Sequence, residues 1–390
     1  MMKGFKEELE NNILRYWMEY MVDTDHGGFY GRIDGDNKLD KTANKGVVMH
    51  ARILWTFAAS YRVLGRSAYR QMAERAYCYL RDYFVDKQYG GVFWEIDFQG
   101  LPVNRKKQTY AQGFALYAFS EYYRATGCTE ALDYAKKQFY QIERCKDNEL
   151  GGYWEAFTED WQPIADMRLS EKDENEAKTM NTHLHILEPY TNLLRVWVDE
   201  RLVKAQSDLI ALFTDRIYNA STGHLQLFFD EQWQVKGEAQ SFGHDIEAVW
   251  LLLEAAEVLG DPELTQKVKN IVPCIGKAAS EGLLPDASLA YERKNGRWDR
   301  ERHWWVQAEA VVGFSYLGKV LDDWFYKEKA EHIWTYIQSN LIDRVEGEWY
   351  WSRLENGEVN RREDKAGFWK CPYHNGRMCL EMIENFGIIR

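Results

Sequence analysis

The chain has 390 residues, a net charge of −12 and a pI near 5.4, which argues against nucleic acid or anionic membrane as its main partner, because phosphate recognition needs clustered Lys and Arg. Aromatic residues make up 15% of it, including 16 Trp, an excess that serves core packing and also suits carbohydrate, whose apolar C–H faces pack on aromatic rings. The six cysteines form no CxxC pair, no apolar run approaches the roughly 18 residues of a membrane span, and the opening MMKGFKEELENNILRYW reads as neither signal nor transit peptide; the expectation is a cytoplasmic protein with reduced thiols.

The first helical pattern covers 5–21. A glycine-led aromatic stretch follows, GGFYGRIDGD from Gly27, and then two helical patterns at 47–65 and 67–85. The same theme returns as GGVFWEIDFQG from Gly90, followed by 110–126 and 130–145, and as GGYWEAFTEDWQ from Gly151, followed by 177–198 and 202–217. GHLQLFFDEQWQ from Gly223 precedes 245–260 and 263–280; looser copies from Gly282 and Gly347 precede 305–321 with 324–340, and 372–388. Each copy alternates aromatic or β-branched with polar residues between turns, the pattern of a short strand or hairpin. Breaks such as LGRS and LGDPE end one helix and open the next.

Six copies and twelve helices with short links inside each pair predict an all-α chain, either an open solenoid or a closed (α/α)6 barrel. No polar capping pair stands at either end, so the expectation is one (α/α)6-barrel catalytic domain over 1–390, with short β-hairpin loops at the mouth. Its even-numbered helices form the inner ring, and their N-termini open together.

Unusual polar residues sit at those N-termini. They are Arg52 in GVVMHARILW, Tyr110 and Phe114 in TYAQGFALYA, Asn181 and His185 in KTMNTHLHILE, His244 and Glu247 in SFGHDIEAVW, Trp304, Trp305 and Glu309 in HWWVQAEAVVGF, and His374 in WKCPYHNGRMC. Alone, an i, i+3 pair such as His244/Glu247 reads as a solvated contact, and Asp245 as a carboxylate serving its own helix N-terminus. Repetition of one placement on successive inner helices points to convergence at a site. His50, His183 and His303 read as ordinary loop or packing histidines.

The segments KTMNTHLHILE, GHDIEAVWLL, WWVQAEAVVGF and WKCPYHNGRMCLE resemble the signature segments of cellobiose 2-epimerases, within the N-acylglucosamine 2-epimerase superfamily, and the similarity runs through the whole chain. The resemblance implies the (α/α)6 barrel, no required cofactor or metal, and epimerisation of the reducing-end sugar of β-1,4-linked disaccharides. It places Arg52, His185, His244, Glu247, Glu309 and His374 at catalytic or sugar-contacting positions, and Asn181, Trp304, Trp305 and Trp369 at substrate-binding ones, with Tyr110 and Phe114 beside them. Ala111 departs from the asparagine of some relatives, a difference that bears on contacts near Tyr110.

Inverting C2 of an aldose needs an opened ring, removal of the C2 proton to an enediolate, and its return to the other face. Arg52 suits the developing oxyanion, His244 and His374 suit the proton steps, His185 suits ring opening, and Glu247 and Glu309 suit orienting imidazoles. Other readings remain at this stage: mannobiose, N-acylglucosamine or free mannose as substrate, an inverting glycoside hydrolase using Glu247 and Glu309, a non-catalytic sugar-binding barrel, and a metal site of His185, His244 and His374. The expected partner is a small-molecule disaccharide, and the expected state a monomer.

Overall fold

A computed structural model describes residues 3–171 and 173–387. Twelve helices follow in chain order, here α1–α12. The first, α1, runs Phe5–Glu8, a π-helical stretch Leu9–Leu14 and Arg15–Tyr20. Then come α2 (Val47–Leu64), α3 (Ser67–Tyr79), α4 (Thr109–Thr126), α5 (Thr129–Arg144), α6 (Met180–Leu194) and α7 (Glu200–Leu212). The last five are α8 (Phe242–Leu259), α9 (Pro262–Ala279), α10 (Trp304–Val320), α11 (Trp324–Asn340) and α12 (Tyr373–Asn385). These match the expected spans closely. The π-stretch in α1 is not announced by apolar periodicity, α6 starts later than expected because Lys178–Thr179 is claimed by a strand, and residue 388 lies outside the described residues.

The even helices pack in order, α2 on α4, on α6, on α8, on α10, on α12, and α12 returns to α2. The fold is the (α/α)6 barrel. Inner helices are apolar on nearly every face, as burial on all sides demands; α2, for example, is buried continuously from Val47 to Ser60. Outer helices carry a single apolar stripe, as with Ala131, Ala135, Phe139 and Ile142 of α5. Three inner helices end on a left-handed glycine, Gly65, Gly127 and Gly260, the residue that adopts this conformation without a Cβ penalty.

The hairpins close a second circle above the helices. The segment entering each inner helix pairs with the hairpin of the next repeat: Lys45–Gly46 with Glu95–Ile96, Lys107–Gln108 with Ala156–Phe157, Lys178–Thr179 with Phe228–Phe229. Ala239–Ser241 pairs with Glu292–Lys294 and Arg302–His303 with Ser352–Arg353, and Ala366 bridges back to Ile33 of the first hairpin. Buried ion pairs pin this layer, with Lys45 on Asp23 at 2.7 Å, Lys107 on Asp86 and Lys178 on Asp147 at 2.6 Å, and Lys365 on Asp343 at 2.5 Å. Each Asp also accepts backbone N–H groups of the turn that leads to the repeat's glycine, as Asp86 does from Gln88 and Tyr89.

Candidate active site

The six inner helices present their residues in tiers. The fourth residue of each of four holds the strand of its own repeat. Gln112 bonds both backbone groups of Val92 and Gln307 both of Leu289, His183 accepts from Tyr153 N, and Asp245 accepts from Leu225 N. His50 stands at the same position of α2, its Nδ1 3.0 Å from the Gly46 carbonyl and its ring 6.3 Å from that of Phe29. Burial pushes His50 down to about 3 and His183 to about 4, so both are neutral struts. Asp245 also takes the His224 ring at 2.7 Å, which corrects its expected role: Ser241, not Asp245, caps α8. His303 stacks on Tyr291 at 4.1 Å.

The sixth residues of five inner helices are Arg52, Phe114, His185, Glu247 and Glu309, two positions deeper. With Tyr110, Trp305 and His374, each the second residue of its helix, they form the floor of the mouth. His374 Nδ1 lies 2.7 Å from Glu309 Oε1, and Trp250 Nε1 donates to Glu309 Oε2 at 3.0 Å. Arg377 Nη2 donates to Glu309 at 2.7 Å and to Glu247 at 2.6 Å, while its Nη1 meets Glu188 and the Tyr373 hydroxyl. Glu188 in turn holds His185 Nδ1 at 3.1 Å.

His244 and Glu247 share a helix face without sharing a bond. His244 Nδ1 lies 2.7 Å from Ser241 Oγ at the rim, with its ring 4.8 Å from Trp305, and Glu247 turns inward to Arg377. Burial lowers His244 to about 3 and His185 and His374 below their ordinary values. All three imidazoles are therefore neutral bases near pH 7. Burial, then the neighbouring Glu309 carboxylate, raises Glu247 to about 8, so its carboxyl holds a proton at neutral pH.

Arg52 is the exception to charge pairing. Its guanidinium is 3% exposed, donates to Tyr110 Oη at 2.8 Å and lies over the rings of Phe114 and Tyr373 at 4.2 and 4.8 Å. Among the described residues no carboxylate pairs with it, and its Nε has no partner. Glu247 Oε2, Asn181 Oδ1 and Trp304 Nε1 are likewise buried and unpartnered. Since native proteins satisfy buried polar atoms, this cluster of orphans marks where a polar ligand completes the site.

Above the floor lies a cleft of about 490 Å³, reached by Asn181 and His244 and walled by Met167–Leu169, Tyr291, His303 and Trp351. Trp305 faces the floor beside His374 at 5.7 Å, and Trp369 stands by Tyr110 at 6.2 Å and Trp94 at 5.8 Å. Trp304 is different: it is buried against Trp351 at 4.5 Å under Lys370, so its ring braces the wall, and its N–H is the free group.

The sequence reading missed Arg377, Glu188, Tyr373 and Trp250. Arg377 and Glu188 stand three residues after His374 and His185, the same spacing that singled out Glu247, and extending that rule would have found them. The proposed trio His185, His244 and His374 forms no ligand cluster among the described residues. Glu247, Glu309 and His374 do offer ligand atoms within 4.8 Å of one another, but the Arg377 guanidinium lies between the two carboxylates and supplies the positive charge. That same closeness departs from the roughly 6.5–9.5 Å separation of an inverting hydrolase pair.

Fold and site together define an (α/α)6-barrel protein with an acid–base cluster at the N-terminal ends of its inner helices. The model of the N-acylglucosamine 2-epimerase family matches residues 28–376, and the chain belongs to that family. It is 54% identical, over 97% of both chains, to a protein of Bacteroides fragilis named cellobiose 2-epimerase, and 38% identical, over 98% of both, to one of that name from Ruminococcus albus. The solved cellobiose 2-epimerase of Bacillus thermoamylovorans superposes with a TM-score of 0.93 at 44% identity over 98% of each chain. A mannanase of Bacteroides thetaiotaomicron, 13% identical with a TM-score of 0.66, shares the fold alone.

Proposed function

We propose that this chain inverts C2 of the reducing-end sugar of β-1,4-linked disaccharides, converting cellobiose to glucosyl-mannose and lactose to epilactose, as one catalytic unit that needs no cofactor. The observation that carries this reading is Arg52, a buried guanidinium without a carboxylate, in a mouth whose three imidazoles are neutral. An enediolate is the anion such a site lacks, and preorganised charge of this kind contributes about 3–4 kcal/mol to the transition state. Six parallel helix N-termini add positive potential at the same end.

In this mechanism His185, held by Glu188, assists ring opening. His374, aimed by Glu309, and His244, braced by Ser241, address the two faces of C2. The proton on Glu247 Oε2 is available to a sugar oxygen, and Trp305 and Trp369 supply apolar faces. The outer cleft has room for the second sugar, which favours a disaccharide over a free hexose. No helix among the described residues is long and apolar enough to cross a membrane; that and six free cysteines support a cytoplasmic enzyme, here taken as a monomer. Incubation with cellobiose in D2O, followed by NMR, is expected to give glucosyl-mannose carrying deuterium at C2. Free glucose, or no product from cellobiose and lactose, overturns the reading.

A further inference from the structure

The inner ring encloses a second cavity at the end away from the mouth, about 380 Å³ in volume. Every inner helix contributes to its wall, with Trp55, Tyr117, Glu188, Glu254, Tyr316 and Glu381 coming one from each. Glu188 also belongs to the floor of the site, where it meets His185, Tyr373 and Arg377. Glu188 thus borders the far cavity and bonds the floor of the site as well.

The far chamber is polar. Trp55 Nε1 is buried without a protein partner, although the ring itself packs on Tyr117 and Tyr373 at 5.1 and 5.3 Å; a buried, unpaired donor in a cavity of this size is satisfied by water. Tyr316 donates to Glu381 Oε2 at 3.1 Å, and Arg195 to Glu254 at 2.5 Å. Burial and the neighbouring Glu254 carboxylate raise Glu381 to about 8, where a carboxyl both gives and takes protons near neutrality.

On the floor side, His374, Glu309, Arg377, Glu188 and His185 form one connected chain beneath the substrate position. A disaccharide in the mouth closes the front route to solvent while the C2 proton sits on an imidazole. We propose that the far cavity is a second solvent port of the site, and that Glu188, Glu254 and Glu381 pass protons between the floor and bulk water while sugar fills the mouth. Arg377, always charged, passes no proton itself, so the relay starts at His185, whose Nδ1 meets Glu188 at 3.1 Å. The imidazolium N–H gives its proton to the Glu188 carboxylate, Glu188 gives it to water in the cavity, and Glu254 and Glu381 hand it from carboxyl O–H to water until bulk solvent takes it. Nothing is oxidised, and a solvent proton returns by the same path.

This inference rests on the epimerase reading, and its test keeps the two apart. In D2O, with cellobiose at early conversion, deuterium at C2 of the unreacted cellobiose is compared with epimer formed. That ratio reports exchange of the abstracted proton before its return to the same face. The wild-type chain is expected to leave label in unreacted substrate, and Glu254→Gln and Glu381→Gln to lower the ratio by roughly a hundredfold, the low end of what a positioned proton carrier contributes. Glu254→Asp, which keeps a carboxyl, is expected to retain it. A merely structural role slows exchange and epimerisation together and leaves the ratio unchanged. An unchanged ratio in both glutamine variants, or unreacted substrate without label in the wild type, overturns the port; absence of any epimer from the wild type overturns the epimerase reading instead.

Discussion

Arg52 carries the tension between stability and function at the scale of one side chain. A buried charge without a partner costs folding free energy, and here a bond to Tyr110 and the faces of two aromatic rings are its compensation. Arg52→Met is therefore expected to abolish epimerisation while leaving the thermal midpoint equal or higher, as is common when a preorganised site is relaxed. A loss of more than about 5 °C, a shift of roughly 4 kcal/mol in a domain of 390 residues, would show that Arg52 instead holds the barrel together. Glu309→Gln separates orientation from charge. The amide no longer fixes the His374 tautomer or balances Arg377, so kcat is expected to fall by about two orders of magnitude or more, the scale of a general-base contribution, with KM changed little. Steady-state kinetics on cellobiose checks this, and a rise confined to KM would remove His374 from the proton step.

Which residues meet was partly legible in the sequence. The placement of Arg52, His185, Glu247 and Glu309 followed from counting along each inner helix, because a helix repeats its geometry. The bond partners did not follow. Arg377 gathers Glu188, Glu247 and Glu309 from three other helices, and such a meeting depends on how closely those helices approach, which no local pattern records.

That approach is set at the scale of the element, by glycine. A Cβ on Gly113 of α4 would lie 2.4 Å from the His185 carbonyl of α6, and one on Gly313 of α10 would lie 2.3 Å from the Ile246 carbonyl of α8. Both contacts adjoin the site, since His185 and Glu247 ride on the backbones concerned. The His185 carbonyl can be approached because Pro189, four residues on, has no N–H to give it. Gly113→Ala is expected to cost about 1–3 kcal/mol, the range for overpacking, and to lower kcat by moving His185; chemical denaturation and kinetics on the same preparation test both halves. Gln112→Ala, one residue away, removes the paired bonds to Val92 and leaves buried backbone groups unmet, at about 1–3 kcal/mol. The helices themselves were readable to within a few residues. The π-stretch of α1 and the strand that shortens α6 were not, because each answers to a distant partner, Glu348 N–H for Asn12 in the first case and Phe228–Phe229 in the second.

At the scale of the molecule, buried carboxylates divide into two populations with opposite pH behaviour. Asp23, Asp86, Asp147 and Asp343 suffer burial, but their lysines and turn N–H groups more than offset it and hold them below the ordinary aspartate value. Their contribution is complete above the unfolded aspartate pKa and is lost as pH falls through the lower folded one. Glu155, Glu247 and Glu381 are raised to about 8, chiefly by burial. The unfolded chain releases those protons near the ordinary glutamate value while the folded chain keeps them, so stability falls as pH rises from there toward 8. A thermal midpoint that peaks at mildly acidic pH is expected, and Glu155→Gln should flatten the neutral side of the curve. A profile rising steadily to pH 8 would contradict the assignment.

The closed double circle means that no repeat is intrinsically first. Just as α3 packs on α2, α1 packs on α12. Topologically the helices and hairpins form a ring of six beads, each joined to its neighbours by the same contacts. A gene rearranged so that α12 runs into α1 through a linking turn, and opened instead beside the exposed Val198 between α6 and α7, should fold to the same barrel with its catalytic mouth intact.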